Sequence, residues 1–279
     1  MSDNWIIQML EIGLGVWNDK LAELWTLITQ SPENFKGSDV WNVIVNINSA
    51  VQGFGYGLLV LFFAMGVFQS AAGFRELQRP EFALRHFIRF ALAKVAVGYG
   101  MEIMTAIFKI CNGIVQSTMS GIGGMASMTA TLPTDIVTAV DDVGFLDSIP
   151  LWLVSLLGSL LIWVMSMILI LTIYGRFFKL YLYTALAPLS LSSFAGEGTS
   201  SIGKSFLKSY SGVCLEGAIV VVSCVIYSAF LSSSSPAVDT SLSAVTMVWQ
   251  YIGQLAFNMI ILTGLVKGSS RLVREMFGI

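Results

Sequence analysis

The side chains that could carry out nucleophilic or acid–base chemistry are few in this sequence and are scattered along it. His86 is the only histidine, and neither a nucleophile paired with a base nor a glycine-rich phosphate loop can be recognised. Asp135, Asp141, Asp142 and Asp147 form an acidic group, but they lack the ligand spacing of a calcium-binding loop. We therefore expect no catalytic residue, no metal site and no cofactor.

Other polar side chains interrupt strongly apolar segments. An ionisable group inside such a segment is costly and usually faces protein or water rather than lipid. On a continuous helix Lys94, Glu102 and Lys109 would share one polar face, although the two lysines could instead snorkel to the bilayer surface. The residues that we predict to face a shared interior are Lys94, Glu102, Glu216, Gln250, Gln254 and Asn258.

The elements that carry these residues are predicted to be membrane helices. Hydrophobic residues make up 55% of the chain and charged residues only 11%, with a mean hydropathy of +0.77. A helix needs about 20 apolar residues to cross a bilayer. The sequence predicts an all-α polytopic membrane protein with about five such spans, near residues 49–72, 87–111, 150–174, 209–231 and 243–266.

The N-terminal part, residues 1–48, is predicted to be an external region that precedes a helical transmembrane domain over residues 49–279. Residues 4–29 have the pattern of an amphipathic helix. This helix either packs on the protein itself or docks on a membrane surface or a partner. The side chains expected on its apolar side are Trp5, Met9, Ile12, Val16, Leu21, Leu24 and Leu27.

Residues 175–209 form a connector around which the chain is organised. Its middle, residues 180–196, is uncharged but is interrupted by Pro188, which removes a backbone donor from a helix. The stretch is short for a span, so we predict a re-entrant or interfacial hairpin that turns at Pro188. The residues assigned to this motif are Ala187, Pro188, Leu189, Gly196 and Gly198.

The distribution of lysine and arginine predicts the orientation. Residues 112–149 contain neither, which is typical of an external loop. The positive-inside rule places the connector and the C-terminus in the cytoplasm and the N-terminus outside. Contact of the basic residues with nucleic acid or an ATPase is conceivable, but the rule explains them without either. The cytoplasmic basic residues are Arg75, Arg79, Arg85, Arg89, Arg176, Lys179, Lys204 and Lys208.

Two runs, one inside the connector and one that begins there and extends beyond it, carry a resemblance to a known family. YTALAPLSLSSF, and after a Gly-Ser-rich break GKSFLKSYSGVCLEGAIVVV, resemble the signature region of TrbL-type conjugal-transfer proteins. These are polytopic membrane subunits of type IV secretion systems. The compact forms on Gram-positive integrative conjugative elements are the most similar. The match of individual residues is concentrated in residues 176–218, whereas the hydropathy layout agrees over nearly the whole chain.

The resemblance implies a subunit of the bacterial cytoplasmic (inner) membrane that acts as a channel or scaffold. Its cargo would be single-stranded DNA with attached protein, and its partners would be the lipid bilayer, further copies of itself, and the other membrane subunits and ATPases of the machine. One alternative is a secondary transporter or small-solute channel, because broken helices and intramembrane charges also build transport sites. Another is a purely structural assembly protein.

Overall fold

We describe residues 4–71, 80–120, 129–144, 148–233 and 241–278 of a computed structural model. Every regular element in these ranges is a helix, which confirms the predicted fold class. A short 3₁₀ turn, Pro32–Asn34, follows the first helix, and a second one, Ser192–Ala195, follows the sixth. The α-helices are α1 (Trp5–Thr29), α2 (Ser38–Ala71), α3 (Pro80–Gly98), α4 (Gly100–Ser120), α5 (Thr134–Asp141), α6 (Ser148–Leu191), α7 (Ser200–Ser233) and α8 (Ala244–Phe277).

Four helical segments of the described chain are long and apolar enough to cross a membrane. They are Ser38–Gln69, Ser148–Ala195, Ser200–Leu231 and Ala244–Phe277. A fifth span results if α3 and α4 are counted as one broken crossing. This agrees with the expectation of about five spans and makes the chain a multi-pass membrane protein.

The second predicted span is not a straight helix. Ala83–Gly98 and Gly100–Met119 meet at an angle of 73°. Glycines flank the break at Tyr99: a Cβ on Gly98 would lie 3.2 Å from the hydroxyl of Tyr56, and one on Gly100 would lie 3.2 Å from Cδ1 of Leu191. The prediction that Lys94 and Glu102 lie on one face of a continuous helix is therefore wrong.

The chain divides into two compact units. The first comprises Met1–Thr29, Gln116–Tyr174 and Ile219–Ser269. Its core collects apolar side chains from α1, α5, the start of α6 and the start of α8. Asn4 Nδ2 donates to the carbonyl of Val140 at 3.2 Å, and the Tyr251 hydroxyl donates to that of Thr131 at 2.8 Å. The first bond joins the start of α1 to α5, and the second joins α8 to the segment before α5.

Helix α1 packs on the protein itself, which decides between the two alternatives left by the sequence. The expected apolar side is wrong in its first half, since Trp5 and Ile12 are exposed. The side chains that α1 buries instead recur at spacings of three and four residues, the period of a helix face. They include Ile6, Leu10, Leu14, Trp17, Leu21, Leu24 and Ile28.

The second unit comprises Gln30–Val115, Gly175–Ala218 and Ser270–Ile279. Within it α2 packs against α3, and both contact the 3₁₀ turn Ser192–Ala195. The ring of Phe35 stacks on that of Phe177 at 4.1 Å between centroids, and the Tyr181 hydroxyl donates to the carbonyl of Pro32 at 2.8 Å. All residues of the predicted connector, 175–209, lie in this unit. Whether residues 1–48 act as a separate region stays a prediction.

Candidate functional site

One face of α2 forms a continuous contact surface within the second unit, which we call the α2 seam. Its members alternate at spacings of four and three residues, so they lie along one side of the helix. They combine amide, glycine and apolar side chains, and each is buried or half-buried. The residues of the seam are Asn48, Gln52, Gly55, Leu59, Phe62 and Gly66.

Pro188 lies inside α6 rather than at a turn. Because proline has no N–H, the carbonyl of Thr184, four residues earlier, has no helical donor. Asn48 Nδ2 donates a hydrogen bond to that carbonyl at 2.7 Å. Asn48 and Thr184 are only 6% and 2% exposed, so lipid and water could not easily satisfy this carbonyl. The α2 seam thus allows α6 to continue through Pro188.

The predicted hairpin with its turn at Pro188 is therefore wrong. Residues 180–187 and 189–191 belong to a single helix, and the 3₁₀ turn Ser192–Ala195 extends it further. The helix ends at Gly196, where the backbone becomes extended, and α7 begins at Ser200. Whether residues 180–196 lie in the bilayer or at its surface stays a prediction.

Hydroxyl groups close the end of this helix. Ser192 Oγ donates to the carbonyl of Leu189 at 2.6 Å, and Ser193 Oγ donates to that of Ser190 at 2.7 Å. Thr199 Oγ1 donates to the carbonyl of Ser193 at 2.8 Å. The last carbonyls of a helix lack partners from a following turn, and these hydroxyls supply them.

Glycines of the α2 seam allow α2 to approach the connector backbone. A Cβ on Gly55 would lie 2.9 Å from the carbonyl oxygen of Pro188, and one on Gly66 would lie 3.1 Å from the Cα of Gly196. A Cβ on Gly196 would lie 2.6 Å from the carbonyl oxygen of Phe62. Small residues permit this contact between backbones, which favours glycine at these positions.

Three nearby glycines, Gly53, Gly57 and Gly198, do not share this role. A Cβ on Gly53 or Gly57 would meet open space. Gly198 is exposed, and a Cβ there would approach only the flexible amide end of Gln69. Ala187 is buried beside Pro188 in α6.

The α2 seam also contacts the bend between α3 and α4. Gln52 Nε2 lies 3.2 Å from the carbonyl oxygen of Val97 and 3.1 Å from that of Gly98. Carbonyls at a helix end need outside donors, particularly where water is scarce. Asn48 and Gln52, one turn apart, therefore provide donors to both interrupted segments of the unit.

Arg176 is buried in α6, with 1% of its surface exposed. Its Nε donates to the carbonyl of Val213 at 3.2 Å and its Nη2 to that of Cys214 at 3.1 Å. The guanidinium carbon also lies 6.0 Å from the ring centroid of Phe108. A Cβ on Gly217 would come within 2.6 Å of the guanidinium, so this glycine provides its space.

The predicted span over residues 150–174 lies within α6, and Arg176 follows it in the same helix. Helix α6 continues to Leu191, which brings Arg176 against α7 within the second unit. Burying a charge is costly unless hydrogen bonds compensate it. The carbonyl bonds and the aromatic ring provide part of that compensation, while the buried Nη1 makes no hydrogen bond to the described residues.

Lys179 and Glu216 form an ion pair beside Arg176. Lys179 Nζ lies 3.6 Å from Glu216 Oε1 and 3.1 Å from the hydroxyl of Ser270. The carboxylate side chain is 4% exposed, whereas that of Lys179 is 44% exposed. Both residues line a pocket of about 360 Å³ that also includes Tyr183 and Arg274. The pair therefore joins a buried carboxylate to an ammonium group that reaches the protein surface.

The other residues predicted to face a shared interior are divided between the two units. Asn258 is buried in the first unit, whereas Lys94, Glu102, Gln250 and Gln254 are exposed on the single chain. Their role in a shared interior stays a prediction.

Three of the predicted basic residues, Arg85, Arg89 and Lys204, line one pocket of the second unit. Arg85, Lys204 and Lys208 are exposed, and Arg89 forms an ion pair with Glu197 at 3.6 Å. Two further members of the set, Arg75 and Arg79, lie outside the described residues. Among the residues that the structure describes, no group of three or more His, Cys, Asp or Glu side chains could hold a metal ion.

Sequence reasoning missed the amide donors of the α2 seam. Asn48 and Gln52 stand one turn apart and precede Gly55 and Gly66 at helical spacing, so the pattern was available in the sequence. The sequence does not reveal which group accepts the hydrogen bond from Asn48, because the contact with the Thr184 carbonyl joins segments that are far apart in the chain.

Comparison with known proteins identifies a family. No curated protein and no solved structure matches the chain. The family described as "TrbL/VirB6 plasmid conjugal transfer like protein" matches residues 17–188. The matched region includes the α2 seam and α6 up to Pro188, but it leaves out the second signature run at 203–222. Since the match covers more than half of the sequence, the chain belongs to the TrbL/VirB6 family of conjugal-transfer membrane proteins.

Proposed function

We propose that this protein contributes to the path through which a conjugation machine moves single-stranded DNA and its attached protein across the bacterial cytoplasmic membrane. Family membership supports a place in the machine as a membrane component. The observation that supports a path is the exposure of Lys94, Glu102, Gln250 and Gln254 on apolar helices. A charged side chain at the bilayer centre costs about 3 kcal/mol or more. In the assembled machine these side chains face other subunits or a wet interior.

The second unit provides the framework for this path. Helix breaks at membrane depth persist only where protein or water satisfies the freed carbonyls. Asn48 and Gln52 satisfy them here, so the bend at Tyr99 and the passage through Pro188 are held by α2. We propose that the same framework presents the cytoplasmic connector to the ATPases and other membrane subunits of the machine.

Deleting the coding sequence from its conjugative element tests the proposal. Transfer should fall to the background of a donor without a secretion system, and a plasmid copy of the gene should restore it. Excision of the element should remain at the wild-type level, because the protein is proposed to act after DNA processing. Normal transfer by the deletion strain would overturn the function.

Glu102 provides a test at one of the exposed polar positions. We expect transfer by Glu102→Leu to fall about tenfold or more, since a partner left unsatisfied at a desolvated contact costs about 1–3 kcal/mol. Membrane insertion should be unchanged, because removing a carboxylate from a lipid-facing position would not destabilise the chain. The control is Glu81→Leu, an exposed carboxylate near the start of α3. Wild-type transfer by Glu102→Leu would remove this residue from the path.

A secondary transporter or small-solute channel is the second candidate. The observation in its favour is the buried carboxylate of Glu216, which is paired with Lys179 in a pocket of about 360 Å³. Expression of the protein without its partners, followed by assays of solute and ion flux in proteoliposomes, separates the two. Flux that depends on Glu216 would favour the transporter.

A further inference from the structure

A pocket of about 380 Å³ lies between α3, the 3₁₀ turn Ser192–Ala195 and the start of α7. All of its lining residues belong to the second unit. Three of them are basic: Arg85 and Lys204 are exposed, and Arg89 is half-buried. Glu197 lies 3.6 Å from Arg89 and forms the one ion pair that these three basic residues make with the described part of the chain. A net positive charge therefore remains at the mouth of the pocket.

The basic and apolar residues of the pocket are arranged in order along α3. Arg85 and Arg89 come first, and the apolar residues Leu92 and Ala96 follow on the same side of the helix at spacings of three and four residues. The stripe from residue 85 to residue 96 is about 16 Å long at 1.5 Å per residue. Phe194 of the 3₁₀ turn adds an apolar wall.

One nitrogen of the basic group lacks a hydrogen-bond partner among the described residues and could therefore bind a ligand. Arg89 Nη1 is buried and makes no hydrogen bond to any described residue, because its distance to Glu197 is too long for one. Ser200 also lines the pocket and begins α7, so the positive end of a long helix dipole adds to the charge of the side chains.

We propose that this pocket binds an anionic phospholipid of the membrane. The phosphate lies among Arg85, Arg89 and Lys204, and an acyl chain follows Leu92 and Ala96. A free phosphate would satisfy the basic group equally well, but it would leave the apolar stripe uncovered. Basic pockets between membrane helices are suited to the head groups of acidic lipids. The bound lipid would link α3 to the start of α7, which lies within the connector.

Native mass spectrometry of the full chain in neutral detergent tests the proposal. Phosphatidylglycerol is titrated against phosphatidylcholine with the same acyl chains. The wild type should bind phosphatidylglycerol more tightly, and the triple variant Arg85→Gln/Arg89→Gln/Lys204→Gln should lose about tenfold or more in affinity. A matched variant, Lys109→Gln/Lys208→Gln/Lys267→Gln, removes the same charge from exposed positions outside the pocket and should bind as the wild type does.

Two further variants separate the lipid from a free phosphate and from misfolding. Glu197→Gln removes the competing carboxylate and should tighten phosphatidylglycerol binding, a gain that a damaged fold would not give. Ala96→Phe fills the apolar stripe and should weaken lipid binding while leaving competition by inorganic phosphate unchanged. Equal affinity for both lipids, equal loss in both triple variants, or lipid binding unaffected by Ala96→Phe would overturn the proposal.

Discussion

At the scale of single residues, the Asn48 amide is the feature on which the helix through Pro188 depends. Its hydrogen bond to the carbonyl of Thr184 replaces the one that proline cannot make. An asparagine near the start of an apolar helix would ordinarily be interpreted as a surface residue. Asn48 is instead buried, and its side chain donates to a backbone carbonyl of α6 that lacks a helical donor.

A double-mutant cycle measures this compensation. Asn48→Ala should destabilise the protein by about 1–3 kcal/mol, because the buried carbonyl of Thr184 loses its donor. In a Pro188→Ala background the loss should be smaller, since residue 188 then donates to that carbonyl itself. Thermal unfolding in detergent gives the values, with the exposed Asn46→Ala as the control. Equal losses in the two backgrounds would refute the pairing.

Gly55 and Gly57 form a matched pair that tests the close approach of α2. Gly55→Ala should lower the unfolding temperature, because its Cβ would lie 2.9 Å from the Pro188 carbonyl and overpacking costs about 1–3 kcal/mol. Gly57→Ala points into open space and should be neutral or stabilising by up to about 1 kcal/mol. The same unfolding temperature for both variants would mean that α2 can move away from α6 at Gly55 without loss of stability.

At the scale of helices, Arg176 joins α6 to α7 within the second unit. The guanidinium fills the space left by Gly217 and binds two carbonyls of α7. Both helices are apolar, so shape and these polar bonds, rather than hydrophobicity alone, determine how they pair.

Substitution at Gly217 tests this helix pairing. Gly217→Ala should destabilise the wild type, because its Cβ would meet the guanidinium at 2.6 Å. Arg176→Met should relieve that clash, so the double variant should be more stable than the sum of the single changes implies. Detergent unfolding of the four proteins is the measurement. If the changes in the free energy of unfolding simply add, the Cβ at residue 217 and the guanidinium of Arg176 do not compete for the same space.

The helices themselves could be predicted from the sequence far better than their interruptions. Long apolar runs fix the position of membrane helices, and the runs that contain α2, α6, α7 and α8 were recognised in this way. Pro188 was interpreted as a turn because proline alone breaks helices, whereas the donor from Asn48 depends on tertiary contact. The bend at Tyr99 went unrecognised for a similar reason: Gln52, which supports it, is distant in the sequence.

At the scale of the whole molecule, the distribution of charge predicts an external N-terminus and a cytoplasmic C-terminus. The orientation can be measured by the labelling of cysteines that are introduced one at a time. Asp141→Cys should react with an impermeant thiol reagent added to intact cells, and Ser201→Cys should react only after lysis. Both positions are exposed, whereas Cys111, Cys214 and Cys224 are buried and should stay unreactive. The opposite pattern of labelling would invert the orientation.

The proposal that DNA passes along this subunit is tested most directly by photo-crosslinking in donor cells that are transferring DNA. A photoreactive amino acid is placed at Gln254, an exposed polar position of α8, or at Ile260, an exposed apolar position about 120° away around the same helix. After irradiation the protein is isolated and the transferred strand is quantified. The proposal predicts transferred DNA bound at residue 254 and little at residue 260, with both signals lost when the relaxase is absent. Equal recovery at the two positions, or none at residue 254 in a donor that transfers normally, would contradict it.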